Sequence, residues 1–135
     1  MQKIVLIDDD PISNLINEKI VKKTGEFQQV HICKSAQSGL DMLSNWKESD
    51  ELGPELILLD IRMPAMDGFE FLDEFKKIPV EFTRNIKIAM LTSSLDEDDK
   101  NRALNCNNVI DFINKPLSFD KYRELMFKLL PSTCS

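Results

Sequence analysis

Five short strand-like segments mark the chain, and a helix-spaced segment follows each one. Lys3–Ile7 is continuously apolar after its first residue rather than alternating. That is the pattern of a parallel strand covered on both faces. Gln28–Cys33, Glu55–Leu59, Asn85–Leu91 and Val109–Ile113 read as four further strands. Between them, Ile12, Leu15, Ile16, Lys19 and Ile20 recur at helical spacing, as do Ala36, Gly39, Leu40 and Leu43. Phe71, Leu72 and Phe75 form the inward face of a third helix, and Leu95–Asn105 a polar fourth. Phe119, Tyr122, Leu125, Met126 and Leu129 lie in register on the last.

Stop and start signals agree with these spans. Asp10 caps the first helix, Pro11 occupies its first turn, and Thr24-Gly25 ends it. Ser35 opens the second helix, Asp67-Gly68 the third, and Ser94-x-x-Glu97 has the form of a capping box for the fourth. Pro131 stops the last helix; Gly53-Pro54 and Lys77–Thr83 read as loops. Regular strand–helix alternation predicts an α/β domain, with a parallel sheet, right-handed crossovers and helices on both faces. The expected organisation is one domain over residues 1–131 and a short tail over 132–135, with no repeat or interdomain linker.

Composition narrows the function classes. A chain of 135 residues, 42% hydrophobic, is long enough for a real core. Its 17 basic and 23 acidic residues give a net charge of −6, which disfavours nucleic acid or an anionic membrane surface as partner. Cys33, Cys106 and Cys134 are odd in number and contain no C-x-x-C, so neither a disulfide framework nor a zinc site is indicated. His31 stands alone on an apolar strand and reads as structural. The N-terminus lacks a signal-peptide pattern, and no apolar run approaches the roughly 20 residues of a membrane span. The expectation is a reduced, cytoplasmic protein.

The chemistry sits at the ends of the strands. Leu56-Ile57-Leu58-Leu59 stops abruptly at Asp60, and Ile61-Arg62-Met63-Pro64-Ala65-Met66-Asp67-Gly68 follows. Asp8-Asp9-Asp10 follows the first strand, Thr92-Ser93 the fourth and Lys115-Pro116 the fifth. Open α/β sheets bind ligands at the carboxyl ends of their strands. Carboxylates forced together there raise one another's pKa, and a divalent cation removes the conflict. All-oxygen ligation favours Mg²⁺ or Mn²⁺. Alone, each signal has an ordinary explanation: an acidic turn, a hydroxyl cap, a surface lysine. Together they assemble a carboxylate nucleophile for phosphorus, a metal site, a hydroxyl and a cation.

On these residues, and on Met63-Pro64-x-Met66-Asp67-Gly68, the chain resembles the response-regulator receiver domain of two-component signalling, from Lys3 to Leu130. The resemblance implies a flavodoxin-like, doubly wound five-stranded parallel sheet of order 2-1-3-4-5 with five helices; this order is the chemotaxis receiver's. It implies Asp60 as phospho-acceptor. Asp9 would bind Mg²⁺ directly, Asp8 largely through water, and Arg62 through its backbone carbonyl. Thr92 would bond the phosphoryl group, Lys115 would pair with Asp60 or the phosphate, and Phe112 would be a switch aromatic coupled to Thr92.

The implied partners are a sensor histidine kinase or histidine phosphotransfer protein and a separate downstream effector, reached through the fourth helix, fifth strand and fifth helix. Asp98, Lys100, Asn101, Lys121 and Arg123 are the candidate contacts there. The expected role is a switch with slow autodephosphorylation, not an enzyme of turnover. Ser93 stands where Ala or Gly is common and is expected to slow access to the phosphoryl group. Asn105-Cys106-Asn107-Asn108 replaces a small Gly-Ala turn. Two rivals compete: a haloacid-dehalogenase-type phosphatase, suggested by Asp8-x-Asp10 but with Ile12 where Thr or Val belongs, and a non-phosphorylated binding module.

Overall fold

A computed structural model of the chain describes residues 1–93 and 96–129. Its element order is β1 (Lys3–Ile7), α1 (Pro11–Thr24), β2 (Gln29–Cys33), α2 (Ala36–Glu48), β3 (Leu56–Asp60), α3 (Gly68–Phe75), α4 (Val80–Thr83), β4 (Lys87–Thr92), α5 (Glu97–Leu104), β5 (Val109–Asn114) and α6 (Phe119–Leu129). The strands form one five-stranded sheet of order β2-β1-β3-β4-β5, parallel in every pairing. This is the expected doubly wound architecture. Among the described residues there are six helices where five were expected, because the loop Lys77–Thr83 closes one helical turn at α4. The predicted fourth and fifth helices are therefore α5 and α6.

The continuous apolar runs have a direct cause. In β1, Ile4 and Leu6 enter one core with Tyr122, Leu125 and Met126 of α6 and Ile20 and Val21 of α1. Val5 and Ile7 enter the other, with Leu43 of α2 and Phe71 and Phe75 of α3. In β3, Leu56 and Leu58 split from Ile57 and Leu59 in the same way. A strand between two helical layers needs apolar side chains at both parities.

Helix α1 departs from the expected pattern. Its apolar positions Ile12, Leu15 and Ile16 are 66%, 50% and 42% exposed, and Asn14 and Asn17 are buried instead. Only Ile20 of that stripe reaches the core, joined by Val21. Three helix starts follow the sequence: Asp10, Ser35 and Asp67 accept from backbone N–H groups at α1, α2 and α3. Gly25 ends α1 at φ 72, a left-handed conformation that glycine adopts without a Cβ penalty. Asp67 and Glu70 form a full capping box at the start of α3. The fourth predicted helix begins later than expected, at Glu97, with Asp96 capping Asp98 N. Ser94 and Leu95, like Pro131, lie outside the described residues.

The unusual turn before β5 has a structural role. Asn108 Nδ2 donates to Thr83 O and Ile86 O, both at 2.8 Å, and Asn108 O accepts from Ile88 N. One side chain thus pins the end of α4 to the start of β5, beside a register shift at Ile88/Ala89. At this amino end of the sheet, Lys3 Nζ lies 4.2 Å from the Trp46 ring centroid, and His31 packs edge-on to the same ring. His31 is a packing residue, as expected. Burial, then the Lys3 charge, lowers its pKa.

Candidate functional site

Register places the acidic residues together. Ile7 pairs with Leu59, so Asp8 and Asp60 stand at adjacent strand tips. Asp60 pairs with Leu91, and Thr92 with Asn114, which sets Lys115 at the tip of the next strand. Lys115 N also donates to Thr92 O at 2.6 Å. Carboxylate oxygens of Asp8, Asp9 and Asp60 all lie within 4.8 Å of one another. Lys115 Nζ bridges two of them, 2.8 Å from Asp8 Oδ2 and 3.1 Å from Asp60 Oδ1. Asp8 and Asp60 are buried, while Asp9 is exposed and open to an arriving ion.

Three carboxylates face one ammonium here. Burial, and then the charge of Asp8, push the Asp60 carboxyl up to about 6; Lys115 and a hydrogen bond from the Arg62 backbone N–H oppose the rise. Burial pulls the Lys115 ammonium down, but its hydrogen bond to Asp8 and the charges of Asp60 and Asp8 outweigh this and raise its pKa. The pocket is thus short of positive charge, and its donor atoms are all oxygen. That chemistry fits a hard divalent cation.

The pocket's floor requires a glycine. A Cβ at Gly68 would meet Asp60 O and Ile61 Cα, both at 2.9 Å, and Gly68 N donates to Ile61 O at 2.8 Å. These are backbone atoms at the end of β3 and just beyond it, so a side chain at Gly68 would displace the segment carrying Asp60. The Asp-Gly pair after Asp60 therefore does two jobs: Asp67 caps α3, and Gly68 lets that helix start against the strand end.

Other expected residues take defined places. Thr92 is the last residue of β4 and 2% exposed; Ser93 follows it and is exposed. Phe112 is 9% exposed and packs in the core, paired with Met90. The Arg62 side chain is exposed and lines a cleft of about 430 Å³ with Asp67, Asp99 and Arg102. Asp10 is no part of the cluster: its carboxylate caps α1 at Ile12 N and accepts from Ser13 Oγ. A cleft of about 500 Å³ near Lys3, Leu52 and Phe82 lies at the opposite end of the sheet and includes none of these groups.

Residues 4–127 match the family model described as the response regulator receiver domain. The chain belongs to that family. Receivers are the switch domains of two-component signalling, and the fold and acidic pocket described above are consistent with membership.

The receiver is 30% identical over 117 residues to the "Probable methanogenesis regulatory protein FilR2" of Methanothrix harundinacea, covering 87% of this chain and 74% of that protein. Among solved structures it resembles a two component response regulator from Cytophaga hutchinsonii, with TM-score 0.86, 28% identity and 96% of each chain covered. A response regulator receiver protein from Dyadobacter fermentans gives TM-score 0.82 and 29% identity, covering 98% of this chain and all of that one. The receiver spans about half the length of two further curated relatives, at 51% and 48%. Among the described residues, no helix is long and apolar enough to cross a membrane.

Sequence reasoning missed Asn14. Its Nδ2 donates to Asp8 O at 2.8 Å, joining the first helix to the pocket. The available signal was the pair Asn14 and Asn17, three residues apart in a helix otherwise rich in Ile and Leu.

Proposed function

We propose that this receiver is a phosphoryl-accepting switch, with Asp60 as the acceptor. The observation that carries this reading is the meeting of Asp8, Asp9 and Asp60 beneath Lys115 Nζ. An Asp60 carboxylate oxygen attacks the phosphorus of a phosphohistidine; the O–P bond forms, the P–N bond breaks, and the imidazole nitrogen leaves with the electron pair. Asp8, Asp9, Asp60 and the Arg62 carbonyl would hold Mg²⁺ (or Mn²⁺), which when bound offsets charge on the phosphoryl oxygens. Lys115 supplies a fixed cation to the same oxygens, and the Thr92 hydroxyl a donor. Water later cleaves the acyl phosphate slowly, with Ser93 at the rim of the pocket limiting access.

The donor is a sensor histidine kinase or a histidine phosphotransfer protein, and its docking face is α1. Ile12, Leu15 and Ile16 are exposed apolar residues on the helix that starts just after Asp8–Asp10. Ile16 also lines a cleft of about 70 Å³ with Lys115, Pro116 and Leu117, so a donor seated there reaches the pocket. The switched surface is α5–β5–α6, where Asp98, Lys100, Asn101 and Arg123 are exposed and available to a separate effector. Lys121 is less free than expected, since its ammonium donates to Asn114 O and Pro116 O. The domain extends over residues 1–131, and the working compartment is the cytoplasm.

Phosphotransfer kinetics test this reading. A single interface anchor is worth more than about 1 kcal/mol, so Leu15→Lys should slow transfer from a phosphohistidine donor about 10-fold. Labelling by acetyl phosphate needs no docked protein and should persist in the same variant. Equal loss with both donors would place the defect in the pocket and remove α1 as the docking face.

A further inference from the structure

The geometry points to Asn14 as a positioning residue for the acidic pocket, one that holds the Asp8 main chain where its carboxylate can serve a divalent cation. This rests on the reading of Asp8, Asp9 and Asp60 as the cation site.

Asn14 lies in α1 and is 3% exposed. Its Nδ2 donates to Asp8 O at 2.8 Å, while its Oδ1 is buried and accepts no hydrogen bond from any described residue. The carboxamide is therefore oriented by its donor end alone. As a stabilising element this is a poor arrangement. A buried unpaired acceptor is unfavourable, and Asn is a weak helix former. Leucine would fill a similar volume on the same helix with better helix propensity, but it would leave Asp8 O without the Asn14 donor. What Asn14 contributes is the fixation of Asp8.

Asp8 is otherwise held at three points: its N–H donates to Cys33 O, Oδ1 accepts from Asp10 N, and Oδ2 accepts from Lys115 Nζ. The carbonyl held by Asn14 is the fourth. That contact comes from within α1, the helix with exposed Ile12, Leu15 and Ile16. Groups that orient a metal ligand without touching the metal commonly change affinity 10- to 100-fold when removed.

Asn14→Leu tests the assignment, with Asn17→Leu as its control. Asn17 is also a buried amide on α1, one turn farther along. Calorimetry should show Mg²⁺ affinity about 10-fold weaker in Asn14→Leu and near wild type in Asn17→Leu. In carbon-detected NMR the Asp8 carbonyl signal should be displaced in Asn14→Leu alone. At saturating Mg²⁺, its acetyl phosphate labelling should recover the wild-type rate, since the acceptor and Lys115 are intact. Wild-type affinity in Asn14→Leu would overturn the inference, even if its melting temperature fell.

A readout on the wild-type chain remains if the variant does not fold. The Asn14 side-chain amide signals should move with Mg²⁺ along the binding isotherm; amide signals unchanged throughout would overturn the inference. A wild-type chain that neither bound Mg²⁺ nor accepted phosphate would instead overturn the functional reading itself.

Discussion

Stripped of divalent cations, the Asp60→Asn protein should be more stable than wild type at pH 7 by about 2 kcal/mol. Burial and the charge of Asp8 raise the Asp60 carboxyl from an ordinary 3.8 to about 6. The folded state therefore holds a proton on Asp60 that the unfolded chain has already released between about pH 4 and pH 6. Stability contributed by this group is present below the unfolded value and lost as pH rises through the folded one. Asparagine mimics the neutral carboxyl and removes that loss. The difference between the two proteins in urea denaturation, with a chelator present, should open across this pH window and level off above it. Excess Mg²⁺ should reverse the order, because only wild type retains the full ligand set and gains stability by binding. A constant difference from pH 4 to pH 7 would contradict the strained carboxylate pocket.

The second large effect separates two neighbouring aspartates. Asp9→Ala removes a charge whose oxygen lies within 4.8 Å of both Asp8 and Asp60. At such range one charge on a partly exposed divalent ion is worth several kcal/mol, so Mg²⁺ affinity should fall about 100-fold. Asp10→Ala removes a helix cap instead. It should cost about 1 kcal/mol of stability and leave Mg²⁺ affinity close to wild type. Calorimetry is the appropriate probe, because Trp46 packs on Lys3 at the start of β1, far from the pocket at its end. Equal losses of affinity in the two variants would mean that Asp10 is a ligand and not only a cap.

Much of this was legible in the chain because the relevant physics is local. Strands buried on both faces leave unbroken apolar runs, and every such run ended within two residues of its structural end. Asp60 could be singled out because a carboxylate is costly at the end of such a run unless it has a task. Asp10, Ser35 and Asp67 were identifiable as caps since a cap needs only its own next three residues. The pocket itself was inferred from chain order, and it formed because parallel pairing brings every carboxyl end to one side of the sheet.

Long-range features were less legible. Ile12, Leu15 and Ile16 have ideal helical spacing, yet α1 turns them outward and buries Asn14 and Asn17. Periodicity gives the existence of a stripe but not which side meets the core. Asn14 bonds a residue six positions back, Asn108 bonds carbonyls 22 and 25 back, and Lys115 pairs with Asp8 across 107 residues. Such bonds are set by packing and leave little local trace. The extra turn Val80–Thr83 was missed for a related reason: its Pro79 cap has no side-chain acceptor for the free N–H groups and marks only a boundary.

The central claim is that Asp60 accepts the phosphoryl group. Intact mass spectrometry after incubation with acetyl phosphate and Mg²⁺, followed by peptide mapping, tests it most directly. Wild type should gain the mass of one phosphoryl group, labile to hydroxylamine and located on the peptide containing Asp60, and Asp60→Asn should gain none. Full labelling of Asp60→Asn, or a label mapped to another residue in wild type, would contradict the account.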